Sequence, residues 1–388
     1  MDMQNSVEGK SVVPKVIAFY LPQYHEIPEN NKWWGKGFTE WTNVKRAKKI
    51  FDGQYQPHVP LNNNYYDLLD RKTVEWQNDL ANKYGLYGFC YFHYYFRGKK
   101  LLEKPAENLL KWKDIPQEFC FAWANDTWAR TWDAVKGGAT SWSLEDERNG
   151  EDKKILIQQT YGEQNDWEEH IMYLLPFFHD SRYIKKDGKP MFLIYKLNQI
   201  PNAVKMFALW NEVVKKHGFP GIHIVSMDQK PSNNPYVEAI AHYAFNIGLS
   251  QSVSAILYRI KRRIINSIMS ALSSDYREPK IWDYEFVWKA VVNAQPYGKV
   301  QNYLGAFVNY DDTPRHGING TYLKNSSPDI FKKYLTEQLI RAKGFHSEYI
   351  FLDAWNEWGE GNYLEPNQKD GYAYLQALSD AVSDVQEL

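Results

Sequence analysis

Glu357 and Glu360, in the run WNEWGEG, are the residues whose type and spacing best suit bond-breaking chemistry. Side chains three apart on a turn or a first helical turn share one face. Two carboxyls on one face can divide the work on a glycosidic bond. One protonates the leaving oxygen and the other acts on the sugar. Trp355 and Trp358 would strip water from the pair and raise one carboxyl, as a general acid requires. Gly359 and Gly361 permit close approach of backbone to ligand. Taken alone, an E-x-x-E is as common on a solvated helix, so the pair gains meaning only from its setting.

That setting is aromatic. Fifteen Trp, 28 Tyr and 19 Phe make 16% of the 388 residues, and many sit beside polar residues: WWGKGFTEWTN, YFHYYF, FAWANDTWARTW, DAWNEWGEGNY. Sugars offer C–H faces that stack on rings and hydroxyls that need hydrogen bonds, so a glycan site mixes the two kinds. Candidate sugar contacts are Tyr20, Tyr24, His25, Glu40, Trp41, His93, Tyr94, Trp123, Asn125, Asp126, Tyr195, Trp355, Asn356 and Trp358. Several have bland alternatives. His93 is a core histidine or a ligand, Asn125 and Asp126 cap a loop or bind hydroxyls, and Glu40 enters a helix or touches sugar. Asp311, Asp312 and Arg315 form a structural turn, a substrate clamp or a metal site. Cys90 and Cys120 lie in apolar runs and read as buried free thiols. No Cys/His metal pattern occurs, so neither metal nor other cofactor is expected.

Eight short apolar runs must position these residues: Val16–Tyr20, Gly88–Tyr94, Phe119–Trp123, Met191–Tyr195, Ile222–Val225, Ala239–His242, Leu304–Val308 and Tyr349–Leu352. Helical patterns at Thr73–Tyr84, Trp167–Phe177, Ala203–His217 and Asp329–Ala342 alternate with them. This alternation predicts parallel βαβ units. Eight strands without a glycine-rich phosphate loop after the first favour a closed (β/α)8 TIM barrel in the α/β class. The polar-aromatic clusters follow the strand ends, where barrel enzymes build their sites.

One barrel spanning 1–388 is expected, with an extension over about 1–14 and a helical insertion over about 250–280. Val253–Leu272 reads as a basic amphipathic helix, either packed on the barrel or making peripheral contact with an anionic membrane. With 46 basic and 47 acidic side chains the net charge is −1, which gives no field for nucleic acid. The first 15 residues lack an apolar leader, and no run reaches the ~18 apolar residues of a membrane span. A cytoplasmic location, with possible membrane association, is the expectation.

Taken together, IAFYLPQYH, GFTEWTNVKRAK, GQYQPHVPL, YGLYGFCYFHYYFRGKKLLEKP, FAWANDTWARTWD, YLLPFFHDSRYIKKDGKPMFLIY, DDTPRHG and FLDAWNEWGEGNYLEP run in order from about Val16 to Gln376. In these stretches the chain resembles the WbsX-type polysaccharide biosynthesis proteins, which are related to glycoside hydrolase family 99, the endo-α-mannosidases. The resemblance implies a (β/α)8 barrel and a retaining reaction. Glu357 would take the proton of the sugar 2-hydroxyl, whose oxygen attacks the anomeric carbon to give a 1,2-anhydro sugar. Glu360 would protonate the leaving oxygen and then activate the incoming nucleophile. Two departures stand out. Gly359 replaces a histidine of family 99, and Asp126 replaces the glutamate usual in WbsX-type proteins.

The leading expectation is a glycoside hydrolase-like enzyme acting on bacterial polysaccharide, with α-mannoside-like or related bonds. A transferase or transglycosylase of O-antigen or capsule assembly is the alternative, although no D-x-D pair sits in a nucleotide-binding context. A non-catalytic glycan-binding barrel is the third reading.

Overall fold

The structure is a computed structural model that describes residues 13–130, 140–141, 154–228, 233–272, 279–298 and 300–388. The expected N-terminal extension lies mostly outside the described residues. Eight strands form the barrel: β1 Lys15–Tyr20, β2 Gly88–Phe96, β3 Glu118–Trp123, β4 Lys189–Ile194, β5 His223–Ser226, β6 Val237–Ala241, β7 Gln301–Phe307 and β8 Tyr349–Asp353. Each pairs in parallel with its sequence neighbour, and β1 pairs with both β2 and β8. Ala18 lies opposite Leu352 on one side and Phe89 on the other, which closes the ring. The eight runs expected from the sequence are these strands, with β2 running on to Phe96 and β7 starting at Gln301.

Both faces of each strand are covered, one by the barrel interior and one by surrounding helices. Strand interiors are therefore almost wholly buried, β8 completely so. The labelled helices are α1 Glu40–Arg46, α2 Arg71–Lys83, α3 Gln164–Phe178, α4 Ala203–Lys216, α5 Val253–Leu272 and α6 Pro328–Gly344. Their ends follow local chemistry. The Asp70 carboxylate accepts from Lys72 N at the start of α2, and the Ser327 hydroxyl from Ile330 N at the start of α6. Cys90 and Cys120 lie opposite each other on β2 and β3, buried and free.

Long loops follow the strands at their C-terminal ends. The loop after β1 carries α1. The loop after β7 carries Asp311 through His316, whose helical turn Thr313–His316 presents Arg315. The loop after β8 is a tight hairpin, Asn356–Glu357 against Asn362–Tyr363. Of the expected insertion, α5 is present over its full predicted length.

Candidate active site

The hairpin after β8 places the two glutamates together. Glu357 ends its first strand, and Trp358–Glu360 make one 3-10 turn. Gly361 closes the turn at φ 58°, in the left-handed region, with its N–H donating to Trp358 O. An added Cβ there would stand 3.0 Å from Asp311 Cβ. Asn356 ties the hairpin to the other end of the chain. Its carboxamide accepts from Leu21 N at 2.7 Å and donates to Leu21 O at 3.0 Å. Tyr24 completes this tie. Its hydroxyl donates to Asn356 O at 2.5 Å and accepts from Trp358 N at 3.2 Å.

Arg315 is the hub of the site. Its Nε donates to Glu40 Oε1 at 2.9 Å, its Nη2 to Glu357 Oε2 at 2.9 Å and its Nη1 to Glu360 Oε1 at 2.5 Å. The planar guanidinium suits this task, because its fork of donors holds three carboxylates at fixed angles. All three carboxylates and the cation lie in the barrel mouth, with only Glu360 appreciably open to solvent, its side chain 18% exposed against 8% for Glu357. Arg315, Glu357 and Glu360 line one cleft with Leu21, Phe92, Tyr94, Ala124, Asp126, Trp128, Tyr195 and Tyr243. Its cavity volume is about 90 Å³, so it is a narrow cleft that opens to solvent at its mouth.

Burial sets the electrostatics. It raises the carboxyls of Glu357 and Glu360; Arg315 pulls both back, and neighbouring carboxylates push them up again. Three carboxylates around one guanidinium would carry −2 if all were ionised, which favours retaining a proton in the cluster. Asp353, at the end of β8, is lifted to about 8 by burial and by Glu360. Burial also keeps the Tyr94 and Tyr243 hydroxyls neutral and able to donate.

Of the residues expected to touch sugar, the cleft gathers Tyr94, Asp126, Tyr195, Arg315, Glu357 and Glu360. Glu40 and Asn356 stand one step behind them, holding Arg315 and the hairpin. The structure puts His93 elsewhere. Side chains alternate across a strand, so Phe92 and Tyr94 face the cleft while His93 faces α3, its Nε2 2.9 Å from His170 Nε2. Burial lowers His93 to about 3, so it stays neutral. Trp123 also faces outward, against Tyr161, His170 and Trp210, and Ala124 takes the cleft position. Asn125 staples loop to loop, accepting from Lys196 N at 2.8 Å and donating to Lys196 O at 2.9 Å.

The remaining candidates lie beneath the site. Tyr20 donates to Gln77 Oε1 at 2.7 Å within the core. Trp41 donates to Tyr66 O and packs on Tyr24 and Trp358. His25 is buried, which lowers its pKa. Trp355 packs on Phe89, and Trp358 stacks on Tyr363 at 3.7 Å while donating to Glu365 Oε2. The two tryptophans thus support the glutamates from below rather than flank them in the cleft. Asp311 is a structural turn residue, accepting from Gln54, Gln56 and Thr313. Asp312, lifted to about 6 by burial, accepts from Thr321 N and Tyr310. Among the described residues no group of His, Cys, Asp and Glu could hold a metal ion.

Phe92, Trp128, Tyr243 and Asp353 were absent from the sequence-based set. Asp353 left a usable signal, a lone acid closing the apolar run YIFLD.

Gly359 has a specific cause. A Cβ there would collide with Glu40 Oε1 and lie 2.8 Å from Arg315 Nε. Glu40, from the loop after β1, fills the space a side chain at 359 would use. Gly359→Ala should cost about 1–3 kcal/mol by overpacking. Glu40→Ala should absorb most of the added cost in the double variant, read by Tm in a double-mutant cycle.

The family model described as "Glycosyltransferase WbsX" matches residues 16–378. The chain belongs to the WbsX family. WbsX relatives among curated proteins include two proteins named "Uncharacterized protein WxcX", from strains B100 and ATCC 33913 of Xanthomonas campestris pv. campestris. Each is 31% identical over 375 residues, covering 95% of this chain. This WbsX chain spans about half their length, 49%. Among solved structures it is similar to the GH99 endo-alpha-mannosidase of Bacteroides thetaiotaomicron, with TM-score 0.57, 15% identity, and coverage of 96% of this chain and 97% of that one. A "Glycoside hydrolase-like protein" matches at TM-score 0.55 and 13% identity, over 95% and 94% of the two chains. At such identities the likeness establishes a shared barrel fold.

Proposed function

We propose that this WbsX protein cleaves a glycosidic bond of a surface polysaccharide with retention of configuration. The observation that carries this reading is that Glu357 and Glu360 line one aromatic cleft and are held by one guanidinium. Unequal exposure supports unequal roles. Glu357, deeper, takes the 2-hydroxyl proton as the 2-oxygen bonds to the anomeric carbon. The bond to the leaving oxygen breaks, and Glu360, nearer solvent, gives that oxygen its proton. Glu360 then takes a proton from water, whose oxygen bonds to the anomeric carbon. The bond to the 2-oxygen opens, and Glu357 returns the proton it took. Tyr94, Tyr195 and Tyr243 offer rings for sugar faces. The likeness to a GH99 endo-alpha-mannosidase favours an α-mannoside or a related linkage.

Membership of a family described as a glycosyltransferase favours a second reading, in which a sugar hydroxyl replaces water and the bond is remade. The test is incubation of purified protein with bacterial polysaccharide without any nucleotide, followed by analysis of released sugars. Fragments with new reducing ends are expected. Activity seen only with an added nucleotide sugar would overturn the hydrolytic reading.

A further inference from the structure

Helix α5 is out of keeping with the rest of the surface. It runs 20 residues, roughly 30 Å, yet only Ala255 among its described side chains is fully buried. Near its start the Tyr258 hydroxyl donates to Ile281 O at 3.0 Å, and the ring packs 4.4 Å from Trp282. On either side of that anchor apolar side chains face water: Leu257 is 61% exposed, Ile264 57% and Ile268 56%. Exposed apolar surface on this scale marks an interaction site.

The residues separate by face. At 3.6 residues per turn, Val253, Leu257, Ile260, Ile264 and Ile268 fall on one stripe. Lys261 and Arg263 flank the stripe, their long stems able to carry the charge outward, Arg259 lies further round, and Arg262 faces the protein on the side of Ala255. The helix holds four cations and no carboxylate. No helix among the described residues is long and apolar enough to cross a membrane.

We propose that α5 docks the protein on an anionic lipid surface, lying in the headgroup plane with its apolar stripe inward. Charge complementarity selects this occupant. Each exposed cation near an anionic leaflet adds about 1 kcal/mol, and the stripe inserts between the flanking Lys261 and Arg263. A second copy of α5 would instead bring another all-cationic helix with no carboxylate to offset it. The inference is independent of the chemistry at the barrel mouth.

The experiment is co-sedimentation of the whole chain with phosphatidylcholine vesicles, with and without phosphatidylglycerol, which carry no glycan. Binding is expected only with the anionic lipid, weakening as salt shortens the Debye length below about 8 Å. Leu257→Glu/Ile264→Glu and Arg259→Glu/Arg263→Glu should each lower the partition coefficient at least about tenfold. Unchanged circular dichroism and Tm would show that both double variants fold. Equal binding to both vesicle types, no binding to either, or a dimer in light scattering that the Leu257→Glu/Ile264→Glu change dissolves would each overturn the proposal.

Discussion

Glu360→Gln will lower kcat on a natural glycan about 10²–10⁴-fold, the usual worth of a positioned proton donor. KM should change little, because the amide keeps the shape of the carboxyl in the cleft. The diagnostic lies in the leaving group. An aryl glycoside of the same sugar leaves without protonation, so its first step should recover in Glu360→Gln. Added azide needs no general base, so it should then yield a glycosyl azide of retained configuration. Glu357→Gln should show neither recovery, because the 2-hydroxyl proton must be removed whatever leaves. The measurement is kcat on glycan and aryl glycoside for both variants, with product configuration by NMR. Equal rescue of both variants would refute the unequal roles, and a wild type without measurable turnover would favour a binding protein.

Arg315→Met is expected to be the most damaging single change to stability at the site. It leaves Glu40, Glu357 and Glu360 facing one another where Arg315 stood, buried and without their cation. Stripping one partner from a buried ion cluster costs about 3–5 kcal/mol. Part of that cost should depend on pH. Burial already raises Glu357 and Glu360 in the folded protein, and Arg315 is the chief force lowering them. Without it their folded pKa values rise further above the unfolded value of about 4.3. For a group raised on folding, its stabilising contribution is complete below the unfolded value and is lost as pH rises through the folded one. The variant should therefore lose Tm as pH rises above about 4.3, more steeply than the wild type. Arg315→Lys should recover some stability but little activity, since an ammonium lacks the fork that engages three carboxylates. A drop in Arg315→Met that is the same at every pH would mean that Arg315 matters for packing alone.

The sequence made the architecture legible for a definite reason. Barrel strands are apolar on both sides, so each appears as a compact run between turn signals, and all eight could be located. That same property hid the orientation of their side chains. In YFHYY an alternating polar pattern would have shown which residues face inward, but Tyr91 through Tyr94 are buried or nearly so on either face. His93 was therefore as good a candidate as Phe92, and Trp123 as good as Ala124. The E-x-x-E motif survived because a turn, unlike a strand, puts residues three apart on one side. Arg315 was visible as a candidate, but its hold on Glu40, 275 positions away, was not. Only the ring closure brings that pair together. The meaning of Gly359 was hidden in the same way, since its constraint comes from a side chain in a distant loop.

Asn356 joins Leu21 across 335 positions of sequence. Those two bonds carry a consequence for the timing of synthesis. The hairpin that bears both glutamates is held by the first strand's loop, and its other supports, Arg315 and Glu40, likewise come from the two ends of the chain. A nascent polypeptide still short of residue 356 carries Phe92, Tyr94 and Trp128 but neither glutamate, and nothing seats Arg315 against them. The site is assembled only when the last strand meets the first, so no ribosome-bound fragment that stops short of the hairpin after β8 can present it.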